Sequence, residues 1–110
     1  MRVAHYAAQE GRGGAFVLAA TRLAFAGGFD LDDLEILTEA AAAAGLPLDN
    51  ALRAAREARR DGAMEAAARR LLGAGADRLP ALCIERGVFW GEDRVGDAVA
   101  TARLAAAARA

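Results

Sequence analysis

Apolar residues recur along most of this chain at helical spacing. RVAHYAAQ, about 2–9, predicts a short first helix that Gly11, Gly13 and Gly14 break. Over roughly 14–26, Phe16, Ala19, Ala20 and Leu23 fall at i, i+3, i+4 and i+7, which predicts a second helix with one core-facing stripe. Gly27-Gly28 allows the left-handed turn that ends such helices. The segment FDLDDLEIL opens a third helix. Asp30 is placed to cap its first turn, Asp32, Asp33 and Glu35 put negative charge at the positive end of its dipole, and Phe29 and Leu34 have the spacing of a hydrophobic staple. Leu34, Leu37 and Ala41 carry the stripe towards Gly45, and Pro47 bars continuation. Asp49 is read as the cap of a fourth helix, about 50–60. Asp61-Gly62 is read as a break before a fifth, about 63–73, bearing Met64, Ala67, Leu71 and Leu72 and closed by Gly73 and Gly75.

The pattern changes at LPALCIERGVFWGEDR, residues 79–94. Ala81–Glu85 reads as a strand, Arg86-Gly87 as a tight turn and Val88–Trp90 as the returning strand. Pro80 stands at the start of the first strand, where a missing N–H is tolerated. A last helix begins near Glu92 and runs to about 108, with Val95, Val99 and Ala102 as its apolar stripe. Leu82, Cys83, Ile84, Val88, Phe89 and Trp90 put apolar side chains on both faces of the hairpin, as in a strand covered by layers on both sides. A two-stranded hairpin alone is marginal in water. The expectation is therefore a larger sheet, completed by another copy of the chain or by a further segment of a longer protein. The fold class read from the chain is mostly α with a β-hairpin, organised as a helical region, 1–75, and a C-terminal ββα region, 76–110.

At 110 residues there is room for a modest core. Net charge is −1, which argues against nucleic acid as a partner, since phosphate binding needs surplus positive charge on one face. All the basic residues are arginine, and serine is absent. Such a composition, rich in alanine, suggests a GC-rich bacterial genome. One cysteine cannot form an internal disulfide. No apolar run approaches the length of a membrane span and the N-terminus lacks the regions of a signal peptide, so the chain reads as soluble and cytoplasmic, with no membrane partner.

A helical block followed by Gly75-Ala76-Asp77-Arg78-Leu79-Pro80, a strand, a glycine turn and Val88-Phe89-Trp90-Gly91-Glu92-Asp93-Arg94 resembles the C-terminal portion of DsbA-family thioredoxin-fold proteins. The nearest branch is the one with 2-hydroxychromene-2-carboxylate isomerases and kappa-class glutathione transferases. GRGGAFVLAATRLAFAGGFDLDDLEIL is similar to that family's helical insertion. The resemblance implies a thioredoxin-like fold split by a helical insertion, of which this chain holds the insertion and the C-terminal ββα part. It implies a cis bond before Pro80, a Leu79 backbone that pairs with a peptide-like thiol substrate, and a Glu92-Asp93 pair that meets the γ-glutamyl end of glutathione. No C-x-x-C pair and no catalytic serine is present, so the nucleophile would belong to a strand–helix–strand unit preceding this chain, and no catalytic residue is assigned here. Any cofactor would be glutathione in the parent protein, with none held by this chain. Arg78 stands where glycine is common in the family, and Ala81 where threonine is common.

Each candidate also has a plainer reading. Pro80 serves as a strand-start proline, Glu92 and Asp93 as first-turn carboxylates stabilising a helix, and Arg94 as a salt-bridged helix arginine rather than an anion site. Cys83 reads as an inert buried thiol and Trp90 as core or interface. His5 has no partner pattern for a metal. The Arg59-Arg60 and Arg69-Arg70 pairs read as solvated faces balanced by Glu57 and Glu65. Gly11-Arg12-Gly13-Gly14 lacks the preceding strand and the G-K-[ST] of a phosphate loop. Two functions remain. One is part of a DsbA-like thiol–disulfide oxidoreductase or glutathione-dependent isomerase, supplying Leu79, Pro80, Glu92, Asp93 and Arg94 to the site. The other is a non-catalytic helical module that self-associates or binds a partner subunit through the hairpin edge.

Overall fold

A computed structural model describes residues 1–110. Its order is α1 (Arg2–Gln9), α2 (Gly13–Thr21), a π-helical turn (Arg22–Ala26), α3 (Leu34–Ala43), α4 (Leu48–Ala55), α5 (Arg60–Gly73), β1 (Ala81–Ile84), β2 (Gly87–Trp90), a 3₁₀ turn (Glu92–Arg94) and α6 (Val95–Arg109). The architecture is mostly helical with one antiparallel hairpin. The chain divides into two units, Met1–Met64 and Glu65–Ala110. No helix is long and apolar enough to cross a membrane.

In the first unit α1 packs on α2 and α4, α2 on α3, and α3 on α4. The contact layer is built largely from alanine: Ala7, Ala40 and Ala54 are fully buried, among Val3, Tyr6, Phe16 and Leu46. Side chains this small let helix axes approach closely, at the cost of a thin apolar core. The second helix keeps Phe16 and Ala20 buried but is apolar all round, so Val17 and Leu18 face solvent, as does Phe25 just beyond it. It ends in a π turn rather than as one regular helix to residue 26. The cap of α3 is Asp33, whose carboxylate accepts from the Glu35 N–H at 2.9 Å, while Asp30 binds the Asp32 N–H in the preceding turn. Phe29 and Leu34 are both substantially exposed, so no buried staple forms. Pro47, with its fixed φ, occupies the cap position of α4, and Asp49 lies in that helix's first turn.

The helix break falls at 56–59, and Asp61 and Gly62 lie inside α5. Polar contacts explain the shift. Arg60 is not a solvated arginine: it is 5% exposed and donates from Nη1 to Gln9 Oε1 at 2.7 Å and from Nη2 to Glu57 Oε1 at 3.2 Å. Its Nη1 also lies 3.0 Å from His5 Nδ1, which must accept because guanidinium only donates. The guanidinium stands 5.5 Å from the Tyr6 ring centre. At the next residue, Arg2 grips Asp61 with two hydrogen bonds, at 2.8 and 2.7 Å, and also donates to the Ala55 carbonyl at 3.2 Å. These bonds tie the start of α5 to α1, leaving the kink to the preceding residues.

The second unit has far less interior. Of its residues only Ala76, Gly91 and Ala98 are buried, while Leu72 and Leu104 are exposed. Register pairs Ala81 with Trp90, Leu82 with Phe89, Cys83 with Val88 and Ile84 with Gly87. The two turn residues are therefore Glu85 and Arg86, not Arg86 and Gly87, and Glu85 takes φ 53, unusual for a side chain of its size. The Glu85 carboxylate pairs with Arg109 near the end of α6. Helix α6 packs against both strands. The hairpin is half-buried rather than enclosed, because its sheet has two strands only. Cys83 is exposed for the same reason. Its side chain shares a face with Val88, and both line a groove of about 330 Å³ opposite Ala67 and Leu71 of α5, with no layer above them.

Arg60→Ala is expected to destabilise the first unit by about 3 kcal/mol, since it strips a buried, hydrogen-bonded charge from its partners; a thermal melt checks this. Acid acts through two carboxyls. Burial pushes the Glu57 carboxyl up, but hydrogen bonds and charge from Arg59 and Arg60 outweigh it and hold the group below the ordinary range. The Arg2 hydrogen bond and charge hold Asp61 low as well, against partial desolvation. A carboxyl lowered in the folded state stabilises above its unfolded value, and that stabilisation is lost as pH falls through the folded value. The Tm gap between wild type and Asp61→Asn should be open at neutral pH and close below about pH 4.

Candidate functional site

Hydrogen-bond phase along β1 fixes what the hairpin offers. Gly91 N–H donates to the Pro80 carbonyl at 2.9 Å, one step beyond the ladder. Antiparallel pairs alternate between bonded and non-bonded types. With 80 and 91 a bonded pair, Leu82–Phe89 and Ile84–Gly87 are bonded too, and the N–H and C=O groups of Ala81 and Cys83 point away from β2. The backbone of Leu79 lies in the same phase and makes no backbone hydrogen bond. Its side chain is 80% exposed. The outer edge of β1 is thus a short row of open donors and acceptors led by Leu79.

The Leu79–Pro80 peptide is cis, as the resemblance implies. Beneath it lies a groove of about 290 Å³ with mostly apolar walls, lined by Leu71, Leu72, Ala76, Leu79 and Ala81, with Asp77 and Arg78 at its rim. The Pro80–Gly91 bond brings the second half of the expected site to the same end of the hairpin. Past Gly91 the chain enters the 3₁₀ turn, where Glu92 and Asp93 are exposed and neither carboxylate has an ion-pair partner. Arg94 is committed locally. Its Nε donates to Asp97 Oδ2 at 2.7 Å, and its guanidinium sits 5.5 Å from the centre of the Phe89 ring.

Leu79, Pro80, Glu92 and Asp93 are therefore gathered at one end of the hairpin, while Arg94 faces its own helix and the Phe89 ring. Arg78 belongs to the same cluster although the sequence reading gave it no role. Its Cδ would lie 3.2 Å from a β-carbon added at Gly91, and Asp93 Oδ1 only 2.7 Å from it. No group of three or more His, Cys, Asp or Glu side chains is placed to hold a metal ion. No family model, curated protein or solved structure matches this chain.

Gly91 sets the geometry of the corner. At φ 91 and ψ 150 it occupies backbone space essentially reserved for glycine, and the added atom would collide with Asp93 and Arg78. Gly91→Ala should lower the stability of the second unit by about 1–3 kcal/mol. Gly96, in the first turn of α6, meets nothing within 4 Å, and Gly96→Ala should leave the unit unharmed or raise its stability by up to about 1 kcal/mol. Denaturant unfolding followed by Trp90 fluorescence distinguishes the two.

Proposed function

We propose that this chain supplies the proline wall of a thiol site in a thioredoxin-like protein of the DsbA kind, either a thiol–disulfide oxidoreductase or a glutathione-dependent isomerase. The observation that carries the reading is the open Leu79 peptide, ahead of Pro80 and in phase with the unpaired groups of Ala81 and Cys83. An extended peptide thiol adds to such an edge as a short strand would, through main-chain hydrogen bonds. The apolar groove below accepts the aliphatic part of the ligand, and the free carboxylates of Glu92 and Asp93 attract its ammonium end. Arg94 contributes by holding Phe89 and the start of α6 in place.

The chemistry at sulfur would be done by residues outside this chain, a C-x-x-C pair or a serine on a preceding strand–helix–strand unit. Cys83 is the only thiol here and has no second thiol with which to exchange. A reducing cytoplasm suits a protein that binds glutathione.

Titrating glutathione into the ¹⁵N-labelled chain should shift the amides of Leu79, Ala81, Glu92 and Asp93 selectively. Leu79→Ala should weaken the affinity by no more than about threefold, because its backbone makes the main contact and its side chain is one of several groove walls, and Asp93→Asn should weaken it by about threefold to tenfold. A thiol–disulfide exchange assay on this chain should show no turnover. Shifts absent from this end of the hairpin, or measurable turnover, would overturn the reading.

A further inference from the structure

The site just described uses one edge of the hairpin. The other edge, along β2, is equally open, since the sheet contains only these two strands. By the same alternation the N–H and C=O groups of Val88 and Trp90 point outward from β2. Edge strands are ordinarily protected by proline, lysine or an inward-facing charge. GVFW has none of these, and Val, Phe and Trp are among the strongest strand formers.

We infer that a second copy of this chain docks on the outer edge of β2, antiparallel, with Phe89 facing the partner's Phe89 across the two-fold axis. Charge selects this arrangement. Arg86 immediately precedes β2 and Glu92 follows it after Gly91, each three residues from Phe89, and neither takes part in any ion pair within the chain. Antiparallel pairing centred on Phe89 brings Arg86 to the end of the strand where the partner's Glu92 lies, and the symmetry does so twice. Val88 then stands opposite the partner's Trp90, a β-branched–aromatic pair of the kind that stabilises sheets. A parallel pairing in register would instead set Arg86 beside the partner's Arg86. The edge of β1 is less suited to self-pairing: centred on Leu82, it would place Arg78 opposite the partner's Arg86.

The result is a four-stranded sheet that extends the half-buried faces of the hairpin on both sides. Four residues of strand bury much less than the roughly 1,200–2,000 Å² of a standard interface. The dimer is accordingly weak and concentration-dependent. It shares Glu92 with the thiol reading but needs neither the edge of β1 nor a ligand, and Arg86, which lies outside the thiol site, tests the pairing by itself.

Sedimentation velocity of the whole chain over a dilution series, without thiol ligand, tests it. A reversible monomer–dimer equilibrium is expected, weakening as salt is raised. Arg86→Glu and Glu92→Arg should each weaken association by about tenfold, because each turns two attractions into two repulsions. The double variant Arg86→Glu/Glu92→Arg should restore it to within about twofold of wild type. These exposed substitutions leave the packing of α6 on the strands untouched. A wild-type chain that stays monomeric at every concentration, single variants that associate as well as wild type, or a double variant that fails to recover would each overturn the pairing. A monomer that captures only unrelated proteins on this edge would do the same.

Discussion

A backbone amide or carbonyl in a strand needs a partner, and in the second unit half of the strand groups have none inside the chain. Register and the Pro80–Gly91 bond fix which groups these are: Ala81 and Cys83 on one edge, with Leu79 ahead of them, and Val88 and Trp90 on the other. Both proposed surfaces rest on that constraint. The edge of β1 runs beside an apolar groove and ends at two uncompensated carboxylates, which suits a small extended ligand with an ammonium group. The edge of β2 is flanked by opposite charges at equal spacing, which suits its own copy. One short hairpin thus offers two surfaces of different character, because the residues at its ends differ.

The two units reach stability by different routes. The first closes its own core, with alanines bringing helices into close contact and Arg60 and Arg2 tying the start of α5 to α1. Its buried Arg60 is desolvated and must keep its hydrogen bonds to Gln9 and Glu57, an arrangement that packed apolar side chains of similar volume often match in stability. The second unit buries only Ala76, Gly91 and Ala98, and α6 covers its hairpin incompletely. A hairpin with one helix is close to the limit of what stands alone in water. Added strands would supply what the chain's own interior lacks.

The helices and the hairpin were legible in the sequence because their signals are local: 3.6-residue spacing, alternating strand formers and glycine stops. Leu79, Pro80, Glu92 and Asp93 were grouped in the sequence only through the resemblance; the register of the hairpin is the physical reason that its two ends meet. What escaped depended on distant residues. Arg60 looked solvated beside Arg59, and only the fold of α1 against α5 surrounds it with Gln9, His5 and Glu57. Asp61-Gly62 looked like a break until Arg2 was found holding Asp61. Cys83 looked buried because its strand neighbours are apolar, but burial needs a layer above the face, and here that face borders an open groove. The capping aspartate of α3 is three residues later than its first carboxylate, a choice that several adjacent acids leave undecided in sequence.

The period-two pattern of open and paired groups along the hairpin can be read directly by residue-resolved amide hydrogen exchange. At concentrations where the chain is monomeric, the Leu82, Ile84 and Phe89 amides should exchange slowly, while those of Ala81, Cys83, Val88 and Trp90 exchange fast. Raising the concentration should then protect Val88 and Trp90 and leave Ala81 and Cys83 open. Uniform protection along both strands of the dilute chain, or slow exchange at Ala81 and Cys83 with fast exchange at Leu82 and Ile84, would contradict the account at its root.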